Sequence, residues 1–290
     1  MRCATILCDS LERATTLYAE GLGLRVLEQG EVTPALAQSW GTPAMSGARM
    51  ALMGVDASAA TLLRFVEDLQ ASHPPYKSLG WQAIEFSVQS SDATIARMAA
   101  AGFEVLAPAA DLEFSKGALR AGQAGGPFGE VLYITQINDQ LPDYTLPQAT
   151  IRVDRLFIAI LGVHDVDASY AAYDRLFGAI GKPTFEAAVD FVNRAQDMPE
   201  DYLFNVGCLE LVPESYIEVD TTPTHIAPRG NAEGKLPCGI AMISITGGDR
   251  IPAATDAVGG SVAAPGMLYA NGSSFVVRGI AGELIEVLGA

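Results

Sequence analysis

Lysine and histidine are scarce in this 290-residue chain: four of the first (Lys77, Lys116, Lys182, Lys235) and three of the second (His73, His164, His225). No basic stripe can form. With a formal net charge of -16 the surface repels phosphate backbones and anionic lipid, so nucleic acid and membrane surfaces are not expected partners. Cysteine is sparse too: Cys3, Cys8, Cys208 and Cys238 include no Cys-x-x-Cys pair. A chain of this length folds without covalent staples, so the thiols are expected reduced and mostly buried, in a cytoplasmic protein. No apolar run approaches the roughly 18 residues that span a bilayer. The opening MRCATILCDSLERATT has too short an apolar stretch for a secretory leader, since Asp9 and Glu12 follow at once. The glycines of GGPFG (125–129) do not follow a strand and open a helix as a dinucleotide fingerprint does, and no P-loop or nucleophile elbow occurs.

What is present is apolar material, 49% of residues against 18% charged, enough to bury sizeable cores. It is arranged in repeats. DATIARMAAAGFEVLAP (92–108) parallels DRIPAATDAVGGSVAAP (249–265): an Asp, a small-residue helix, a glycine turn, a short strand to Pro. GPFGEVLYITQ (126–136) parallels GIAGELIEVLG (279–289). Strand RCATILC, Asp9 and helix LERATTLYAEGLG pair with strand RLFIAILGV, Asp165 and helix VDASYAAYDRLFG. Leu11, Ala14, Leu17 and Tyr18 keep helical spacing, as do Val166, Tyr170, Tyr173 and Phe177, and Asp9, Asp92, Asp165 and Asp249 stand where helix N-caps belong.

Four units follow, near 1–70, 78–138, 151–222 and 236–290. The polar, proline-bearing stretch 138–150 divides the chain into two similar domains, 1–142 and 150–290. The long segment 221–237 is expected to be a lid or to cross a cleft.

Four strand–helix–strand–strand–strand units in series resemble the vicinal oxygen chelate superfamily, which includes glyoxalases, bleomycin resistance proteins and type I extradiol dioxygenases. LYAEGLGLRVLE (17–28) looks like the opening string of glyoxalase-like modules and AAYDRLFGAIG (171–181) is its counterpart. GCLELVPE (207–214) and GELIEVLG (282–289) look like module-ending strands. The resemblance implies an α+β fold of four βαβββ modules paired into two open barrel-like cups. It also implies a bacterial catabolic role, a small-molecule ligand, association into homodimers, and a divalent metal held by His on first strands and Glu on last strands.

Carried over position by position, the family's ligand sites fall on Arg2 and Arg64 in the first unit. In the second they fall near Ala83, with Glu85 two residues on, and on Tyr133. In the third they fall on Arg155 and Glu210, and in the fourth near Ile240 and on Glu286. No strand histidine is present, and a guanidinium cannot ligate. The expectation is therefore a metal-independent protein in which Arg155 replaces the metal's charge between Glu210 and Glu286. A lyase, isomerase or hydratase acting on a small apolar, possibly aromatic, molecule follows. Arg155 would hold an oxyanion and Glu210 or Glu286 would move a proton. Phe157, Met242, Tyr133, Tyr269, Arg64 and Glu85 would line the site. Two alternatives stay open. One is a metal enzyme of dioxygenase or glyoxalase type, binding Fe, Mn, Zn or Ni through Glu210, Glu286 and His225. The other is a ligand-sequestering resistance protein.

Overall fold

Seventeen strands and a few short helices carry the four units, in a computed structural model that describes residues 1–56, 62–69, 73–230, 233–246, 257–270 and 272–289. The first module is β1 (Cys3–Cys8), α1 (Leu11–Leu22), β2 (Arg25–Glu31), α2 (Pro34–Ser39), β3 (Arg49–Gly54) and β4 (Leu62–Glu67). The second is β5 (Gly80–Val88), α3 (Ser91–Ala101), β6 (Glu104–Asp111), β7 (Leu119–Gly125) and β8 (Val131–Ile137). The third is β9 (Val153–Val163), α4 (Val166–Phe177), β10 (Ile180–Gly181), β11 (Phe185–Ala187), α5 (Asp190–Ala195), β12 (Phe204–Val212) and β13 (Ser215–Thr221). The fourth is β14 (Gly239–Thr246), β15 (Val262–Ala263), β16 (Ser273–Arg278) and β17 (Leu284–Leu288). No helix of the described residues is long and apolar enough to cross a membrane.

The helices start and stop where local chemistry tells them to. Ser10 and Ser90 accept the backbone N–H of Arg13 and Ala93, and Asp165 accepts that of Ala168. Gly23, Gly102 and Gly178 end α1, α3 and α4 in the left-handed region. Asp165 caps as expected. Asp9 and Asp92 do not, because the neighbouring serines take the cap. Asp92 sits in the first turn of α3, 2.7 Å from Arg120. Asp249 lies outside the described residues, as does most of the expected helix after it.

The strands form two sheets, ordered β15-β16-β17-β14-β1-β4-β3-β2 and β10-β12-β13-β9-β5-β8-β7-β6, with β11 also on β12. Each curls into a cup, as expected, but the halves 1–142 and 150–290 do not make one cup each. The first cup joins modules one and four through antiparallel β1 and β14; the second joins modules two and three through antiparallel β5 and β9. The reason is an edge. Within a module the first strand pairs on one side only with the last (β1 with β4, β5 with β8, β9 with β13, β14 with β17), so its other side needs a partner. A module of the opposite half supplies it.

The halves are tied differently, by helices and by the repeated Gly-x-x-Gly-Glu turn. In the first half α1 packs on α3, and the Tyr18 hydroxyl donates to Glu130 at 2.9 Å. In the second half Tyr173 donates to Glu283 at 2.7 Å. Glu130 and Glu283 also accept the backbone N–H of Phe128 and Ala281, folding each side chain back over its own turn. A Cβ at Gly126 or Gly279 would meet those carboxylates at 1.8 Å, which accounts for the glycine that opens each repeat. The main core, including Tyr18, Trp81, Phe86 and Tyr173, lies between the sheets and under the helices. Two smaller cores fill the cups. Residues 221–230 and 233–237 run between the sheets. Arg229 donates to the carbonyls of Cys238, Ile240 and Trp81, and Trp81 Nε1 reaches the Leu284 carbonyl of the other sheet at 2.9 Å.

Candidate functional site

The two cups have diverged. In the first, β4 and β17 bring Arg64 and Glu286 together, both fully buried, with Arg64 Nη2 2.9 Å from Glu286 Oε2. Arg64 also donates to Thr5 Oγ1 and, at 2.6 Å, to the Tyr269 hydroxyl. Glu286 accepts from Ser244 (2.6 Å), Tyr269 (3.0 Å) and Trp40 Nε1 (3.0 Å), and the Trp40 ring lies 4.5 Å from the guanidinium carbon. Burial alone would lower the Arg64 pKa. The adjacent carboxylate outweighs it, so the guanidinium stays charged. Every carboxylate lone pair aimed into the cup is used, and Trp40, Met242 and Leu52 pack the remaining space. The hollow left at the mouth, beside Tyr269 and Leu268, holds about 30 Å³. This cup is a satisfied polar core.

The second cup is open. A cavity of about 630 Å³ lies on the concave face of its sheet, a size suited to a small organic molecule. Phe157, Ile158, Leu119, Phe204, Val206 and Tyr144 give it an apolar and aromatic wall. At the mouth Phe114 and Phe185, exposed and from different modules, pack with ring centroids 5.6 Å apart. The linker 138–150, expected only as a spacer, forms part of the wall through Leu141, Tyr144 and Leu146.

Acidic groups project into this apolar space. Strand alternation puts Glu85 of β5 beside Tyr133 of β8, and sets Glu218 and Asp220 two residues apart on one face of β13. Burial raises Glu85 to about 7, against a 2.5 Å hydrogen bond from Thr135 that favours the charged form. Burial also raises Asp220 to about 7. Glu218 goes well above the usual carboxylate range, first through burial and then through repulsion by Asp220 and Glu85. Burial likewise holds Tyr133 and Cys208 protonated. The Tyr133 hydroxyl lies 3.4 Å from that of Tyr76, whose backbone sits at φ +60, a strained setting for an aromatic residue. None of the described lining residues is Lys, Arg or His.

The expected site residues are thus divided. Glu286, Arg64, Tyr269 and Met242 belong to the first cup; Glu85, Tyr133 and Phe157 line the second. Arg155 stands between Glu210 and Glu286 in neither. It pairs with Glu214 at 2.6 Å and Asp154 at 3.3 Å. Glu210 lies on β12, the third strand of its module, and pairs with Lys182 at 2.5 Å. The last strand of that module is β13, so the position assigned to Glu210 belongs to Glu218. The arginine that pairs with a buried glutamate is Arg64, 222 residues from Glu286. His225 is exposed and bonds the Gln196 carbonyl. His164 bonds the Ile226 carbonyl.

Glu218, Asp220 and the 138–150 wall were not singled out from the sequence. The alternation SYIEVDT carried the first two: Glu and Asp at i and i+2 between apolar residues are what one face of a cup requires.

The donor sets do not fit the divalent metal that the resemblance implies. In the first cup a guanidinium occupies the place of a ligand. In the second, Glu85 and Glu218 flank β9, two strand spacings or roughly 10 Å apart. Among the described residues no three His, Cys, Asp or Glu side chains converge.

Similarity to known proteins agrees with the fold. Residues 2–131 match the model of the Glyoxalase/Bleomycin resistance protein/Dioxygenase superfamily. Glyoxalase I from Zea mays superposes with a TM-score of 0.63 at 13% identity, over 100% of this chain and 92% of that one. A putative dioxygenase from Bacillus subtilis superposes with a TM-score of 0.61 at 13% identity, over 100% of this chain and 84% of that one. No curated protein matches the sequence. Residues 2–131, a little under half of the chain, thus resemble the glyoxalase/bleomycin resistance protein/dioxygenase superfamily, and the four-module, two-cup fold is shared with glyoxalase I over the whole length.

Proposed function

We propose that the protein is an enzyme that binds a small, mostly apolar organic molecule in the second cup and moves a proton on it without a metal ion, as a lyase, isomerase or hydratase would. The observation that carries this reading is the pair Glu85 and Tyr133, side by side on β5 and β8 in the wall of the cavity. A carboxyl with a pKa near 7 is matched to general acid–base work at neutral pH. A buried phenol held protonated donates a hydrogen bond to an oxygen that gains negative charge as the proton leaves carbon. Glu85 would take the proton from the carbon and return it at the new position. The aromatic wall would orient the substrate and keep water away.

Two other readings stay in view. A metal-dependent reaction of the kind performed by glyoxalase I would need Glu210, Glu286 and His225 on one ion, and these lie in three separate places. Sequestration without turnover is favoured by the open aromatic mouth formed by Phe114 and Phe185.

The test is hydrogen exchange in deuterated water, followed by NMR on a panel of small aromatic ketones and enones, with metal content measured in parallel. We expect enzyme-catalysed exchange at the carbon next to the carbonyl, slowed by at least about 100-fold in Glu85→Gln, and metal far below one ion per chain. Ligand binding without exchange would move the protein to the sequestering class. Stoichiometric metal that is needed for exchange would overturn the metal-free reading.

A further inference from the structure

Buried carboxylates in this molecule are generally satisfied by the chain itself. Glu286 has Arg64, Ser244, Tyr269 and Trp40; Glu130 and Glu283 have a tyrosine and a backbone N–H each; Asp154 has Thr150 and Arg155. Asp220 is the exception, with the half-buried Glu218 beside it. Asp220 is 6% exposed, lines the cavity, and its Oδ1 is buried with no hydrogen-bond partner among the described residues. Glu218, next to it on the same face of β13, has no ion pair among the described residues. Two acids side by side in an apolar wall, with no Lys, Arg or His among the described lining residues, hold each other toward the protonated form, and a positively charged guest favours their ionised form.

We propose that the second cup is built for an organic ammonium, a molecule with an apolar or aromatic body and a protonated amine seated on Glu218 and Asp220. This rests on the reading of the second cup as the ligand site and names the class of ligand. The surroundings suit such a cation. Asp143 and Glu186 add negative charge to the lining and Tyr216 an aromatic side chain, while the Tyr144 ring already has Lys182 Nζ 5.7 Å from its centroid. The net charge of -16 raises the local concentration of cations at the mouth. An amine on β13 leaves the body of the molecule lying across Ile158 and Ile160 of β9. Its far end is then near Glu85 on β5, two strand spacings or roughly 10 Å away, with Tyr133 on β8 one strand beyond.

Three compounds of one shape test the assignment: 4-phenylbutylamine, 4-phenylbutan-1-ol and 4-phenylbutanoate, titrated calorimetrically into the full-length protein. The expected result is that the amine binds at least about tenfold more tightly than the alcohol, a difference typical of one charge-assisted pair, and that the carboxylate does not bind. In Glu218→Gln/Asp220→Asn the amine should fall to the level of the alcohol while alcohol binding is unchanged. The single variants, each removing one ionisable acid without changing shape, should each give part of that loss. Equal affinity of amine and alcohol for the wild-type protein would overturn the ammonium assignment and leave the cup as an apolar site. A preference that survives in all the variants would overturn the role of Glu218 and Asp220. Failure of all three compounds to bind would overturn both this inference and the reading of the second cup on which it rests.

Discussion

Replacing Glu85 by Gln should stabilise the protein at alkaline pH, although it removes the residue proposed to move the proton. Glu85 is 8% exposed, and burial lifts its pKa from 4.5 to about 7. A carboxyl whose folded pKa is raised favours the protonated folded state. Its contribution is fully present below pH 4.5 and is lost as the pH rises through about 7. At about 1.4 kcal/mol per pH unit, the ionised side chain costs the fold about 3 kcal/mol at pH 8. Glu218 feels the Glu85 charge, and the variant removes that repulsion too, so the difference between the two proteins reports burial at position 85 together with this neighbouring contact, both acting in the same direction. Gln keeps the shape and can still accept from the Thr135 hydroxyl. For a chain of this length 3 kcal/mol corresponds to roughly 5 °C in melting temperature. Circular dichroism melts of wild type and Glu85→Gln at pH 4.5, 6, 7 and 8 should therefore coincide at the acid end and separate by about 5 °C at the alkaline end. Parallel curves, or a variant less stable at pH 8, would refute the claim that burial governs this carboxyl.

The first cup offers a contrasting case. Arg64→Met should cost about 3–5 kcal/mol in urea denaturation, because it strands the Glu286 carboxylate in a dry core, whereas Arg64→Met/Glu286→Met should recover most of that loss. A neutral single variant would show that the pair is not a sealed core. Tyr18→Phe and Tyr173→Phe should each destabilise by about 1–2 kcal/mol by leaving Glu130 or Glu283 short of a donor. Equal losses at the two sites would match the equivalence of the halves, and no loss at either would remove the repeated tyrosine–glutamate contact as the tie within each half.

Local features were legible in the chain. Helix starts and stops depend on a side-chain oxygen two or three residues from the N–H it accepts and on a glycine at the end. Asp9, one residue before the true cap Ser10, and Asp165 therefore marked the starts of α1 and α4 within a residue, and the strings ending at Gly23 and Gly178 marked their ends. The duplicated Gly-x-x-Gly-Glu turn was visible as a repeat because the glycine and the glutamate that folds onto it stand four residues apart. The motif strings carried the resemblance, and with it the expectation of cups. The site was only partly legible. Glu85, Tyr133 and Phe157 were placed in a cup wall by strand alternation, which is local. Glu218 was missed because a one-strand error in the third module moved the last strand from β13 to β12.

Sequence by itself therefore determined the four modules and most of their elements, since these depend on residues within one turn or one pleat. It could not determine which module shares a sheet with which. That is decided when the open side of β1 finds β14 and that of β5 finds β9, pairings between strands of different modules. On that choice depends whether Arg64 meets Glu286, filling one cup, or whether Glu218 and Asp220 are left facing an unfilled one. A charge and its partner can be read from the chain when they are neighbours along it. When 222 residues separate them, only the packed sheets bring them within hydrogen-bonding distance.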